Sequence, residues 1–292
     1  FDAYIVFDAD DVLEPNYVEE MNRTFSDGYE VITSYRNSKN FGDNWISSGY
    51  ALWFMRESSW LNRPRMRAGT SCAVSGTGFM FSRKVLDECG GWNFFLLTED
   101  IEFTVDNVVN DRKIGYCEHA VLYDEQPTRF KQSFNQRKRW ARGYVQVFGK
   151  YGRDMTRSVL HGSFASYDMF MNILPAAFVS IVGIIINVAG FVVSIVTRQN
   201  TAVVIGSAVG ILNSMYLTVF AIGALTTISE WKRIYAPSWK KILYTFTFPL
   251  FMLTYIPCML AGVFARTVTW KPIEHTRAAN LAEIREGARR TA

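Results

Sequence analysis

The 292-residue chain has four cysteines, Cys72, Cys89, Cys117 and Cys258, none at the spacing of a zinc site or a disulfide framework. That excludes a zinc ribbon or disulfide-stapled scaffold and fits a soluble part in the cytosol. There is no internal repeat and no low-complexity tract. Charge of either sign is absent from three long segments: 29 residues between Asp168 and Arg198, 31 between Arg198 and Glu230, and 24 between Lys241 and Arg266. Acid is absent from a fourth stretch, Thr128 to Arg153, which holds Arg129, Lys131, Arg137, Lys138, Arg139, Arg142, Lys150 and Arg153.

Hydrophobic residues make up 49% of the chain and aromatics 15%, and much of this excess lies in the three uncharged segments. Each is long enough to cross a hydrocarbon core roughly 30 Å thick. Helices apolar on every face need cover from all sides, and a chain of this size cannot bury three of them, so they read as membrane segments. Beside them, the acid-free basic stretch suits anionic headgroups or a nucleotide diphosphate. That position also argues against nucleic acid as a partner.

Residues 1–128 read as a soluble α/β region. "AYIVF" is an apolar run of strand length, the pattern of a strand buried on both faces of a parallel sheet. Pro15 suits a first helical turn, with Val18, Met21 and Phe25 on one face. "EVITSY" reads as a strand, and residues 36 to 67 as a helix and loops over the site. "CAVSGTGFMFS" holds a small-residue turn at Gly76, Thr77 and Gly78, where a ligand can approach the backbone. Thr98 is placed to cap a helix starting near Glu99, with Ile101, Val105 and Val108 as its apolar stripe. "KIGYCEHAVLYDEQP" reads as another strand, and residues 130 to 151 as an amphipathic helix where the soluble part meets the bilayer.

Three constellations carry chemistry. Asp8 and Asp10 stand at the carboxyl end of a strand, where open α/β sheets place ligands. Carboxylates crowded there repel unless a cation such as Mg²⁺ or Mn²⁺ sits between them, although a polar turn is the commoner cause of this pattern. Thr98, Glu99 and Asp100 start a helix, where a carboxylate either complements the dipole or serves as a general base. In "QRKRW", Gln136, Arg139 and Trp140 share one helical face. The guanidinium suits a diphosphate and the indole a sugar ring, and equally both suit lipid headgroups. His119 reads as structural, and Lys232, Arg233, Lys240 and Lys241 as a cytosolic loop facing the membrane.

Together "DAD", "SGTGF", "GGW" followed by "TED", "QRKRW" and the membrane segments resemble, in order and spacing, the processive branch of glycosyltransferase family 2. That branch includes cellulose, hyaluronan, chitin-oligosaccharide and poly-N-acetylglucosamine synthases. The resemblance implies a Rossmann-like GT-A catalytic domain on the cytosolic face of the plasma membrane and inverting transfer from a nucleotide sugar, usually a UDP sugar. The acceptor it implies is a polysaccharide or glycolipid. It assigns Asp8 and Asp10 to metal and diphosphate, and Asp100 to the catalytic base. Gln136 and Arg139 then hold the donor diphosphate, while Trp140, Glu99 and Gly76 to Gly78 lie on the acceptor side.

The organisation expected is a catalytic domain over 1–128, interface helices over 129–168, two to three membrane segments over 169–266 and a basic tail over 267–292. The family places nucleotide-binding strands before the DxD strand, so an N-terminally incomplete chain is expected. Six basic residues after Ala265 argue for a cytosolic tail, and Pro249 and Pro257 are placed to break the third segment into a re-entrant or interfacial hairpin. Two other readings stand beside transfer. A non-catalytic polysaccharide-binding subunit would lose a motif residue, and a glycosidase needs a carboxylate pair but has no use for the Gln/Arg/Trp face.

Overall fold

The computed structural model describes residues 1–173, 175–197, 201–265 and 279–287. Five strands, β1 (Ala3–Val6), β2 (Val12–Leu13), β3 (Val31–Ser38), β4 (Phe79–Ser82) and β5 (Ile114–Asp124), form one sheet in the order β1-β4-β3-β5-β2. Only β3 and β5 run parallel. The other pairs are antiparallel, so the all-parallel surroundings expected for β1 are replaced by an antiparallel pairing with β4 at the edge of the described sheet. Both faces of β1 are nevertheless used. Tyr4 and Val6 pack on one core, and Ala3 and Ile5 on the other.

The period of two builds these cores. Val31 and Tyr35 of β3 and Phe79 and Phe81 of β4 face one side, whereas Ile32 and Met80 face the other. On the larger side Phe79, Phe81, Trp92, Phe94 and Phe103 form an aromatic nest with ring centroids 5.1 to 6.1 Å apart. Each such pair adds about 0.5–1.5 kcal/mol beyond its buried area. The smaller side is covered by α1 (Tyr17–Ser26) through Tyr17, Met21 and Phe25. The helix starts after Asn16, so Pro15 precedes it instead of entering its first turn, and Val18 is exposed.

Asn44 caps α2 (Trp45–Arg56) by accepting from the N–H groups of Ile46 and Ser47, a device contributing about 1 kcal/mol. The helix widens into a π-helical turn, Glu57–Asn62, before α3 (Arg63–Arg67). That turn aims side chains at the chain segment entering β4. Asn62 brackets Ala73, accepting from its N–H at 3.0 Å and donating to its carbonyl at 3.1 Å. After β4 come α4 (Arg83–Glu88) and α5 (Glu99–Val109), in which Ile101, Val105 and Val108 are buried as their spacing predicts. Thr98 holds the N-cap position, but its hydroxyl makes no capping bond and has no partner.

The amphipathic helix α6 (Phe130–Leu160) is longer than its basic stretch, and α7 (Phe164–Ile173) follows. Next come α8 (Pro175–Val196) and α9 (Thr201–Ser229), which turn apolar side chains outward: Ile185 is 61% exposed, Leu212 59% and Ile228 72%. The third apolar segment behaves differently. It forms α10 (Ser238–Leu253) and α11 (Tyr255–Val263), broken at Thr254, while Pro249 and Pro257 both lie within helices. Both pack on the soluble part. The Phe251 ring covers Gly49 of α2, and Gly262 lets α11 approach Ala141 of α6.

In the basic loop Lys232 is exposed, whereas the other three cations are held by protein. Arg233 pairs with Glu118 and Glu230, Lys240 donates to the Gly42 carbonyl, and Lys241 is buried and donates to Trp231. These cations dock the loop on protein. Most of the expected basic tail lies outside the described residues. Within it, α12 (Leu281–Glu286) returns to the sheet, where Ile284 is buried and Arg285 pairs with Glu14.

Candidate active site

The turn after β1 carries the carboxylate cluster. Asp8 is exposed, and its N–H donates to Thr77 Oγ1 at 2.9 Å and to Asp11 Oδ2 at 3.2 Å. The Thr77 hydroxyl donates in turn to Asp11 Oδ2. Asp11 Oδ1 is buried without a hydrogen-bond partner. Burial and then the negative charge of Asp124 push the Asp11 carboxyl up to about 7. Asp11 therefore anchors the turn, while the same turn leaves Asp8 exposed and Asp10 half-buried. The Asp10 carboxylate is 3.3 Å from Lys39 Nζ, which also donates to the Asp10 carbonyl.

Thr77 belongs to the second constellation. Gly76 and Gly78 adopt φ of +75° and +69°, backbone that glycine takes at least cost. A Cβ on Gly78 would lie 1.8 Å from Leu122, so the loop rests directly on β5. The Gly76 N–H donates to Asp100 Oδ2 at 2.7 Å, which joins the turn at Gly76 to Gly78 with the start of α5. Burial raises the proton affinity of Asp100, opposed by backbone hydrogen bonds from Ile101 and Gly76 and by the charges of Arg36 and Arg139. Glu99, at the open rim, is pushed up by partial burial and then by Asp100.

The third constellation closes on the same loop. Arg139 Nη1 donates to the Leu97 carbonyl at 2.7 Å, and the Leu97 N–H donates to Gln146 Oε1 at 3.3 Å. A Cβ on Gly143 would lie 2.4 Å from Thr98 Oγ1, so only glycine lets α6 come this close. Lys150 Nζ meets the buried Glu102 carboxylate at 2.6 Å, and Glu102 also accepts from the Leu96 N–H. The helix carrying Arg139 and the helix carrying Asp100 are thus one assembly. Trp140 sets its ring edge-on to Tyr50 and Phe54, with centroids 5.8 and 6.2 Å away, and Gln136 Oε1 is buried without a partner.

Sequence reasoning missed two arginines. Arg36 of β3 pairs with Asp124 through Nε and Nη2, donates from Nη1 to the Ser75 carbonyl at 2.9 Å, and stacks 3.7 Å from the Phe54 ring centroid. The signal available for it was that Arg36 is the one charged residue in β3. Arg137 is fully buried and donates to the Phe251 carbonyl and the Thr254 hydroxyl. It therefore caps the end of α10 at the break, where carbonyls lack helical partners. Nothing in a run of four basic or amide residues marks it out. His119 is exposed on β5 and joins no cluster.

Among the described residues, no three His, Cys, Asp or Glu side chains converge as a metal cage. A Mg²⁺ site built from one or two carboxylates and substrate phosphates needs no such cage, and the exposed Asp8 with its neighbour Asp10 fits that donor set.

The family model described as "Glycosyltransferase like family 2" matches residues 1–143. A probable glycosyltransferase, YdaM, of Bacillus subtilis is 32% identical over 78 residues, covering 27% of this chain and 19% of that protein. A beta-monoglucosyldiacylglycerol synthase of Trichormus variabilis is 29% identical over 115 residues, 39% of this chain and 24% of that protein. A UDP-forming cellulose synthase of Dictyostelium discoideum, matched in its catalytic chain, is 32% identical over 81 residues, 28% of this chain and 8% of that protein. The matches thus span a quarter or less of these relatives. The mixed sheet with its flanking helices fits a GT-A α/β fold, and residues 1–143 are similar to glycosyltransferase family 2 domains.

Proposed function

We propose that this protein is a membrane-bound inverting glycosyltransferase that moves a sugar from a nucleotide sugar, a UDP sugar by preference, to a polysaccharide or glycolipid acceptor. The observation that carries this reading is the convergence of three distant segments on one loop. Thr77 holds the turn bearing Asp8 and Asp10, Gly76 holds Asp100, and Arg139 holds Leu97 just before Asp100.

In this reading Asp100 takes the proton of the acceptor hydroxyl as that oxygen attacks the anomeric carbon from the face opposite the leaving diphosphate. Burial favours the task, because it raises the proton affinity of a carboxylate toward working pH. Asp8 and Asp10 would hold Mg²⁺ or Mn²⁺, and a bound divalent ion supplies charge to offset that growing on the leaving diphosphate. Arg139 sits near enough to Asp100 to lower its proton affinity, so its remaining N–H groups serve the donor side, next to Gln136. Gly76 to Gly78, Glu99 and Trp140 shape the acceptor side.

Two crossings suit the fold better than three. Exposed apolar faces such as those of α8 and α9 exceed what a soluble surface carries and match a lipid environment. By length and apolar content the stretches 208–229 and 238–263 both qualify, but the second is broken at Thr254 and packed on α2 and α6. It therefore reads as an interfacial hairpin under a cytosolic catalytic domain at the plasma membrane.

The test is incorporation of labelled sugar from UDP-glucose, UDP-galactose and UDP-N-acetylglucosamine by the membrane-embedded protein, with lipid and polymer products separated by size. Transfer that needs Mg²⁺ or Mn²⁺ supports the reading. UDP-sugar binding without any transfer would favour the non-catalytic role in polysaccharide binding.

A further inference from the structure

Ser75, one residue before the glycine that donates to Asp100, is held from two sides by charged groups that no motif singles out. Its carbonyl accepts from Arg36 Nη1 at 2.9 Å, and its hydroxyl donates to Glu57 Oε2 at 3.1 Å. Both charges are themselves fixed. Arg36 is paired with Asp124 and stacked on Phe54, and a Cβ on Gly76 would lie 3.0 Å from its Nη1. Glu57 opens the π-helical turn, is half-buried, and is balanced by the charges of Arg65, Arg36 and Arg56. The Thr77 N–H bonds back to the same Ser75 carbonyl at 2.9 Å. A regular α-helical turn would rotate Glu57 and the side chains after it differently toward this loop, which gives the wide turn a purpose.

We infer that Glu57 and Arg36 are positioning residues for the transfer reaction: by clamping Ser75 they aim the Gly76 N–H at Asp100 Oδ2 and so fix the carboxylate against the acceptor hydroxyl. This rests on the reading of Asp100 as the base. Neither residue touches the reacting atoms, and both act through one backbone bond. A small displacement of a catalytic group costs rate out of proportion to stability, so the clamp acts on turnover more than on donor binding.

Arg36 is a poor target, because removing one partner of a buried ion pair leaves the other uncompensated. Ser75→Ala, Glu57→Ala and Glu57→Gln, with the double variant Ser75→Ala/Glu57→Ala, test the clamp in the full chain in nanodiscs. One arm follows backbone amide exchange by mass spectrometry in peptides covering residues 72–78 and needs no activity. Loss of one hydrogen bond near 1 kcal/mol predicts about fivefold faster exchange in Ser75→Ala and Glu57→Ala. The other arm measures transfer from the three UDP sugars. It predicts a drop in kcat of about fivefold or more with donor KM nearly unchanged, and a double variant no worse than either single. Glu57→Gln, whose amide oxygen still accepts from Ser75, restores both readouts.

Unchanged exchange in both alanine variants overturns the clamp. So does faster exchange with kcat unaltered, or additive losses in the double variant. If the unaltered protein transfers no sugar while exchange still responds, the enzymatic reading fails and the clamp is only structural, which also overturns the positioning role.

Discussion

Arg139 Nη1 donates to the Leu97 carbonyl at 2.7 Å, across the seam between α6 and the loop entering α5. One guanidinium thereby ties the basic helix to the backbone three residues before Asp100, and in the proposed reading its other donors serve the donor's diphosphate. Lysine has a single point charge and no fork, so it cannot do both. Arg139→Lys is expected to lower kcat/KM by about tenfold or more, the equivalent of about 1.4 kcal/mol, while the melting temperature falls by only a few degrees. Equal collapse of fold and activity would reduce Arg139 to a structural tie.

Gly143 tests the same seam by volume. An added Cβ would stand 2.4 Å from Thr98 Oγ1 and 2.5 Å from its Cγ2. Gly143→Ala is expected to destabilise by about 1–3 kcal/mol, the usual cost of overpacking. Thr98 makes no capping bond, so Thr98→Ala in the same chain should return part of that loss. Thermal unfolding of the two variants checks it, and a Gly143→Ala protein as stable as the unaltered one would mean that the helices do not pack this closely.

Asp11 makes a prediction about pH. Its carboxyl is raised to about 7 by burial and then by Asp124, far above its value in the unfolded chain. A raised acid contributes its stability when protonated, so that contribution is present below pH 4 and is lost as pH rises through about 7. Asp11→Asn keeps the shape and removes the titration. Melting temperatures from pH 4 to 8 should fall less steeply in the variant, which should be the more stable of the two at pH 8. Parallel curves would contradict the inward placement of Asp11.

The C-terminal segment predicts topology. Arg285 Nη2 lies 2.7 Å from both Glu14 carboxylate oxygens, and Ile284 is 2% exposed. A segment touching β2's neighbour Glu14 must share a side of the membrane with the catalytic sheet. A fluorescent protein fused after Ala292 should therefore fluoresce, as it does only in the cytosol. An active alkaline phosphatase at that position would require an odd number of crossings.

Much of this architecture was legible because it is local. The apolar run of β1, the stripe of Ile101, Val105 and Val108, and the basic face of α6 follow from periods of 2 and 3.6. What escaped is set by partners distant in sequence. Three adjacent carboxylates look alike until Thr77, 66 residues beyond Asp11, draws one of them inward. Arg137 and Arg139 look alike until α10 packs on the Arg137 side. The break in the third apolar segment falls at Thr254, where Arg137 donates to the Phe251 carbonyl and the Thr254 hydroxyl, while both prolines sit inside helices. The antiparallel pairing of β1 depends on the return of β4, which no pattern within "AYIVF" encodes.

The central claim is that Asp100 is the base, and one substitution reaches it most directly. Asp100→Asn keeps the size of the side chain and an oxygen to accept from the Gly76 N–H, so the fold should survive while the proton acceptor is lost. Sugar transfer from the donor that the unaltered protein uses, measured in nanodiscs with UDP binding and melting temperature as controls, is the decisive measurement. The account predicts a loss of about 10²–10⁴-fold in kcat, the usual worth of general base catalysis, with UDP binding retained. Transfer at the unaltered rate by a folded Asp100→Asn protein would contradict it.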